Sequence, residues 1–162
     1  MKKPLITGIL AFTADQLSKY YIARYVCYAS IINIIPSFNF FNITNIYNTG
    51  ISFSILEGRN LLLSLLIFVS LSILSICFYI NKDKFDSLQK YAFCLVIFGG
   101  LGNLTDRFFR GAVVDFLDFG INSLRWPSFN VADFCIFAAS GLAITDILFF
   151  NGNSKGKKAE VR

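Results

Sequence analysis

Four apolar runs divide the chain: Leu5 to Ile22, Leu61 to Ile80, Tyr91 to Leu104 and Val131 to Phe150. The second and fourth are about 20 residues each, enough at ~1.5 Å per helical residue to cross a ~30 Å hydrocarbon core. The third is about 14 residues, short for a crossing, so a helix there is expected to continue toward Phe109. The first opens on Lys2 and Lys3 and is interrupted by Asp15, Gln16 and Lys19, with no small-x-small cleavage pattern after it. That pattern predicts a retained helix and not a cleaved signal peptide. Helices are expected over approximately 5–22, 61–80, 91–108 and 131–150.

Between them the pattern changes. The segment 25–57 is rich in Ile, Phe, Tyr, Asn and Thr, and its partial alternation in "FNFFNITNIYN" predicts short strands lying on the membrane surface. The segment 109–130 is expected to be an outer loop, and the Gly-, Ser- and Lys-containing stretch 151–162 a flexible, dispensable tail. The whole of 1–162 is expected to form one domain, a membrane α-helical fold of four transmembrane helices with a small β cradle on the outer surface between helices 1 and 2.

Composition supports lipid as the solvent: 55% of the residues are hydrophobic and 15% charged, which would coat a soluble domain of this size in apolar surface. Nine of the fifteen basic residues, Lys2, Lys3, Lys82, Lys84, Lys90, Lys155, Lys157, Lys158 and Arg162, fall at the termini or in the middle loop. That bias predicts both termini on the cytoplasmic side. The net charge of +5 forms no stripe suited to reading bases, so no nucleic-acid partner is expected.

No histidine is present, which removes Ser-His-Asp and Cys-His mechanisms and nearly every zinc peptidase signature. Cys27, Cys77, Cys94 and Cys135 have no close pairing and are expected to be buried packing residues. Carboxylates remain, and they are costly at a membrane edge. Asp15 falls toward the outer end of the first helix, Asp106 just beyond the third run, Asp115 in the outer segment and Asp133 at the start of the fourth helix, all at one depth. Asp146 lies 13 residues beyond Asp133, about 20 Å along a helix, and cannot join them. Asp118 would point to the opposite face of an extended strand from Asp115 and is expected to be solvated.

Two carboxylates brought together in a partly desolvated site share a proton, so one serves as base and the other as acid. Such a pair activates water against an amide without metal or covalent intermediate. The same carboxylates could instead ion-pair with Lys19, Arg107 or Arg110 and hold helices together. Asn130 and Asp133 have the spacing of a helix N-cap, and an aspartate in a first turn is favoured as the base by the helix dipole. Gly99, Gly100 and Gly102 suit close helix contact in a membrane. Arg110 is expected to snorkel to the outer interface, with Trp126 anchoring at the headgroups.

The strings "DQLSK" at 15–19, "NTGISFS" at 48–54, "GGLGNLTDRFFRGAVVDFLDF" at 99–119 and "WPSFNVAD" at 126–133 together resemble the lipoprotein signal peptidase (signal peptidase II) family. The resemblance runs from the first helix to the fourth, in order. It implies an aspartic endopeptidase of the bacterial cell (inner) membrane that cuts diacylglyceryl-modified prolipoproteins just before the lipidated cysteine, with its active site near the outer face. Asp115 and Asp133 match the catalytic pair. Asn48, Gly50, Asn103, Arg107 and Asn130 match positions that line the substrate pocket or shape it, and Asp15, Lys19 and Asp106 match supporting polar positions. No cofactor or metal is implied, the partners are the prolipoprotein substrate and membrane lipid, and a monomer is expected. One departure is Phe134, where the family pattern has a small residue, so packing behind Asp133 is expected to differ.

Two rival classes stay open on the residues alone. A proton-coupled transporter would place its carboxylates near the midplane on a path reaching both sides, and a structural protein would not need so many carboxylates and asparagines at one depth. The segment Ser52 to Arg59, with Gly50 and Gly58 as hinges, is expected to move to admit substrate.

Overall fold

The computed structural model of the chain describes residues 1–50 and 58–151. Its elements in order are helix α1 (Lys2–Tyr25), strand β1 (Ile31–Ile35), a 3-10 turn (Ser37–Asn39), strand β2 (Phe41–Asn48), helices α2 (Asn60–Asn81) and α3 (Ser87–Arg110), strands β3 (Val113–Ile121) and β4 (Leu124–Arg125), and helix α4 (Val131–Thr145). α4 continues as a π-helical stretch over Asp146–Asn151. The expected gating segment falls mostly on residues 51–57, and the expected tail on 152–162, outside the described residues.

α2, α3 and the stretch Val131–Phe149 are long and apolar enough to cross a membrane. α1, at 24 residues, is as long as α3, but its charged side chains keep it out of that group. Two of those charges turn inward. Asp15 and Lys19 are buried while Leu5, Ile6, Ile9 and Leu10 are exposed, an inside-out distribution suited to lipid. α3 is the hub, packing against α1, α2 and α4. It starts where a capping box closes on Asp86 and Gln89, and it ends at Gly111 in the left-handed conformation, φ 76°. It therefore covers the short third run and extends past Leu104 as expected.

The β cradle differs from expectation. A four-stranded antiparallel sheet in the order β1-β2-β3-β4 draws on both the segment between α1 and α2 and the segment between α3 and α4, so residues 113–125 supply half of its strands. β2 pairs with β3 from Phe41↔Phe119 to Asn48↔Val113, with a register shift between Ile43 and Ile46. β3 is buried along most of its length, which erases the alternation that marks a half-exposed strand. The segment expected to be an outer loop is thus the sheet's most protected strand.

Three smaller expectations also change. Cys94 and Cys135 are buried, but Cys27 and Cys77 are exposed. Phe134 is 59% exposed and turns outward, so it leaves the packing behind Asp133 to Ala132 and Cys135. Asp118 is buried, because Arg125 and Asn42 reach it across the sheet.

Candidate active site

Lys19, at 0% exposure, organises the end of the helices next to the sheet. Its ammonium lies 2.8 Å from Asp15 Oδ2, one turn earlier on α1, and 3.1 Å from Asp106 Oδ2 on α3. It also donates to Asn103 Oδ1 at 2.9 Å. Three donors thereby meet three acceptors, the condition under which a buried ammonium is tolerated. Each carboxylate then reaches a backbone amide on a further element. Ala132 N–H of α4 donates to Asp15 Oδ1 at 2.8 Å, and Val114 N–H of β3 donates to Asp106 Oδ2 at 3.2 Å. Four elements are tied to one cation, and Gln16 adds bonds to Asp15 and to the Gly102 carbonyl.

Asp106 also accepts from Arg110, so that arginine pairs with its own helix and does not simply snorkel. Arg107 turns inward, is 5% exposed, and donates through Nη2 to the Gly50 carbonyl. Asn60, at the start of α2, donates to the Arg107 carbonyl at 3.2 Å.

Above this layer lie the other two aspartates, Asp115 on β3 and Asp133 in the first turn of α4. Asn130 joins them. Its Nδ2 donates to Asp115 Oδ1 at 2.7 Å, its backbone N–H donates to Asp133 Oδ2 at 3.1 Å, and its Oδ1 accepts from Asp133 N–H at 3.0 Å. The expected N-cap is thus a full capping box, and the capping residue is also the bridge between the carboxylates. Asn48 donates to Asp115 Oδ2 at 2.9 Å, and Asn103 donates to Asp133 Oδ1 at 2.7 Å. Every oxygen of the pair holds an amide donor, and Asn103 links the pair to Lys19 below.

The pair is asymmetric. Asp115 is 3% exposed, whereas Asp133 and Asn48 are half-buried. Burial, and then repulsion from Asp133, push the Asp115 carboxyl up to about 7, against the opposing pull of the Asn48 and Asn130 amides and Lys19. Around neutrality the Asp115 carboxyl is therefore part-protonated.

Gly50 N–H donates to Asn48 Oδ1 at 2.9 Å, and with that link all ten residues singled out in the sequence, Asp15, Lys19, Asn48, Gly50, Asn103, Asp106, Arg107, Asp115, Asn130 and Asp133, are connected through these bonds. Asp146 lies apart and accepts from Gln89, at the far end of α3. Two residues of the assembly were not singled out. Asn45 donates to Val26 O at 2.8 Å and so closes the C-terminus of α1 onto β2, while Arg125 grips Asp118. The three-residue spacing of Asn42, Asn45 and Asn48 in an apolar strand was the available signal for the first.

Comparison with known proteins gives a consistent result. The family model for signal peptidase (SPase) II matches residues 7–149. The chain is 36% identical over 152 residues to the lipoprotein signal peptidase of Alteromonas mediterranea, spanning 92% of this chain and 81% of that one. It is 37% identical over 156 residues to the lipoprotein signal peptidase of Syntrophus aciditrophicus, spanning 91% and 96%. Two solved structures, each described as a bacterial membrane enzyme structure by the in meso method, match at 29% identity with TM-scores of 0.84 and 0.80. They cover 94% and 93% of this chain and 92% and 95% of their own.

Proposed function

From the premise that this chain belongs to the signal peptidase II family, we propose that it is an intramembrane aspartic endopeptidase in which Asp115 and Asp133 activate water. Membership makes it a membrane protease that processes lipoprotein signal peptides. The observation that carries the finer reading is the Asn130 bridge, which holds two carboxylates at one site while burial keeps a proton on Asp115 near neutrality.

In the proposed cycle, Asp133 is the base. It takes a proton from water as the oxygen attacks the scissile carbonyl carbon, and Asp115 gives its proton to the carbonyl oxygen. Collapse of the tetrahedral intermediate returns that proton to Asp115, and the leaving amine takes the proton held by Asp133. Asn48 and Asn130 hold the Asp115 carboxyl in orientation, Asn103 holds Asp133, and Arg107, Gly50 and Asn48 line the path of the peptide. Asp15, Lys19 and Asp106 lock the helices beneath.

The substrate proposed is a diacylglyceryl-modified prolipoprotein, cut just before its lipidated cysteine, with the acyl chains in the bilayer. α1 is proposed as a fourth span. At ~1.5 Å per residue its 24 residues exceed a ~30 Å core, and its mid-helix charges, Asp15 and Lys19, face protein. The basic residues at the termini and middle loop favour a cytoplasmic location for both ends, with the site near the outer face of the bacterial inner membrane. A single chain carries every group the mechanism uses, which suits a monomer.

The test is cleavage of a diacylglyceryl-modified prolipoprotein peptide by purified protein in detergent with EDTA present. Wild type should cut before the modified cysteine, and folded Asp115→Asn and Asp133→Asn should each lose about a thousandfold or more in kcat. Persistent cleavage in either variant would remove the dyad.

A further inference from the structure

β3 carries two carboxylates on opposite faces, and the second is held as firmly as the first. Asp118 Oδ1 accepts from Arg125 Nε at 3.0 Å, and Oδ2 accepts from Arg125 Nη2 at 2.6 Å and from Asn42 Nδ2 at 2.9 Å. Arg125 Nη2 also donates to the Asp118 carbonyl at 3.0 Å, and Nη1 donates to the Asn39 carbonyl. This is the fork-on-fork geometry in which arginine fixes orientation as well as charge, and lysine cannot reproduce it. The pair ties β2, β3, β4 and the 3-10 turn together, and its hydrogen bonds go to Asn42 and Asn39 and not to the aspartate cluster.

Beyond β4 the chain returns along β3: Trp126 N–H donates to Phe119 O at 2.8 Å, Phe129 N–H to Leu117 O at 3.0 Å, and Leu117 N–H to Phe129 O at 2.8 Å. Phe129 also stacks on Phe119, ring centroids 5.8 Å apart. The next residue is Asn130. Its side chain must meet Asp115 on β3 and Asp133 on α4 at once, so the alignment of the returning segment against β3 decides whether one amide reaches both.

We propose that Asp118 and Arg125 form a positioning clamp that fixes the chain's return along β3 and thereby seats Asn130 between Asp115 and Asp133. The clamp rests on the dyad reading above. Its loss does not remove a group that touches substrate; it loosens the amide that orients one. A misplacement of about 1 Å at such a site costs on the order of a hundredfold in rate. It also has a titration signature, because the Asn130 amide opposes the rise in the Asp115 carboxyl. The charged groups facing Asp115 from other elements, Asp133 of α4, Lys19 of α1 and Arg107 of α3, are unchanged by substitutions at 118 or 125.

The experiment compares the full-length wild type in detergent with Arg125→Met, Asp118→Asn, their double variant and Arg125→Lys, measuring kcat, KM and the pH profile on the lipid-modified peptide. The expected result is a fall of about tenfold or more in kcat for Arg125→Met with KM within about twofold, and an alkaline limb displaced to higher pH. The double variant should be no worse than either single one, since the pair acts as a unit. A folded Arg125→Met with wild-type kcat and limb, or a loss that only tracks the fraction of folded protein with the limb unmoved, overturns the clamp. Should Arg125→Met fail to fold, Arg125→Lys decides: a lowered kcat with a displaced limb supports the clamp, and a wild-type profile overturns it. Retained cleavage in Asp115→Asn or Asp133→Asn would instead overturn the dyad, a distinguishable outcome.

Discussion

Gly102 leaves no room beside Asp15: a Cβ built at 102 would stand 2.6 Å from Asp15 Oδ2 and 3.3 Å from the Cβ of Ala132. The carboxylate cannot yield without releasing Lys19 or the Ala132 amide, both of which it holds. Gly102→Ala should therefore destabilise by about 1–3 kcal/mol and lower cleavage further by shifting the first turn of α4, where Asp133 sits. Thermal unfolding and kcat measured on the same detergent preparation check this, and a variant equal to wild type in both would mean that the contact yields freely.

Lys19→Met tests the buried cation directly. Methionine fills a similar volume but leaves Asp15 and Asp106 buried without their shared ammonium, and breaking such a cluster costs on the order of 3–5 kcal/mol. For a chain of this size the unfolding midpoint should fall by roughly 10 °C. Lys19→Met combined with Asp15→Asn should recover part of the loss, because the second change removes one of the stranded charges. An unaltered midpoint in the single variant would show that the network is dispensable for stability.

The helices were largely legible in the sequence because membrane helices announce themselves by length and apolarity, and α1 was legible by its run despite a charge content that lowers its mean hydropathy. The polar positions of the site were legible through family strings. Their bonding was not, since nothing local says that Asn130 caps a helix and bridges two carboxylates together. The sheet was half legible. β2 shows its alternation, but β3 pairs with a strand some seventy positions earlier and is buried along most of its length, so its sequence, VVDFLDFGI, shows no apolar–polar alternation. Asp118 was misplaced for the same reason. Its partner Arg125 is reached only after the chain reverses at Asn122, a left-handed residue with φ 51°, and no periodicity signals that turn.

Asn48 is the more exposed of the two side-chain amides that donate to Asp115, and its amide favours the ionised carboxylate. Asn48→Ala should raise the Asp115 carboxyl above its value near 7, so the alkaline limb of activity should move upward. Loss of orientation should lower kcat by about tenfold to a hundredfold. A limb that stays in place while kcat falls would assign Asn48 to substrate contact and not to the aspartate.

Asp115 should also leave its mark on stability. Its folded-state value near 7 lies above the ordinary 3.8, so between about pH 4 and pH 7 the folded protein holds a proton that the unfolded chain has lost. Stability must then fall as pH rises across that window and level off above it, by up to about 4 kcal/mol. Other carboxylates titrate too, so the comparison is with Asp115→Asn, which keeps the shape and removes the proton. Denaturation midpoints of wild type and variant, measured from pH 4.5 to 8 (roughly the titration window), should diverge steadily, with the variant gaining relative stability as pH rises. Parallel curves would mean that the Asp115 carboxyl is not held up by burial, and the proton assigned to it in catalysis would have to sit elsewhere.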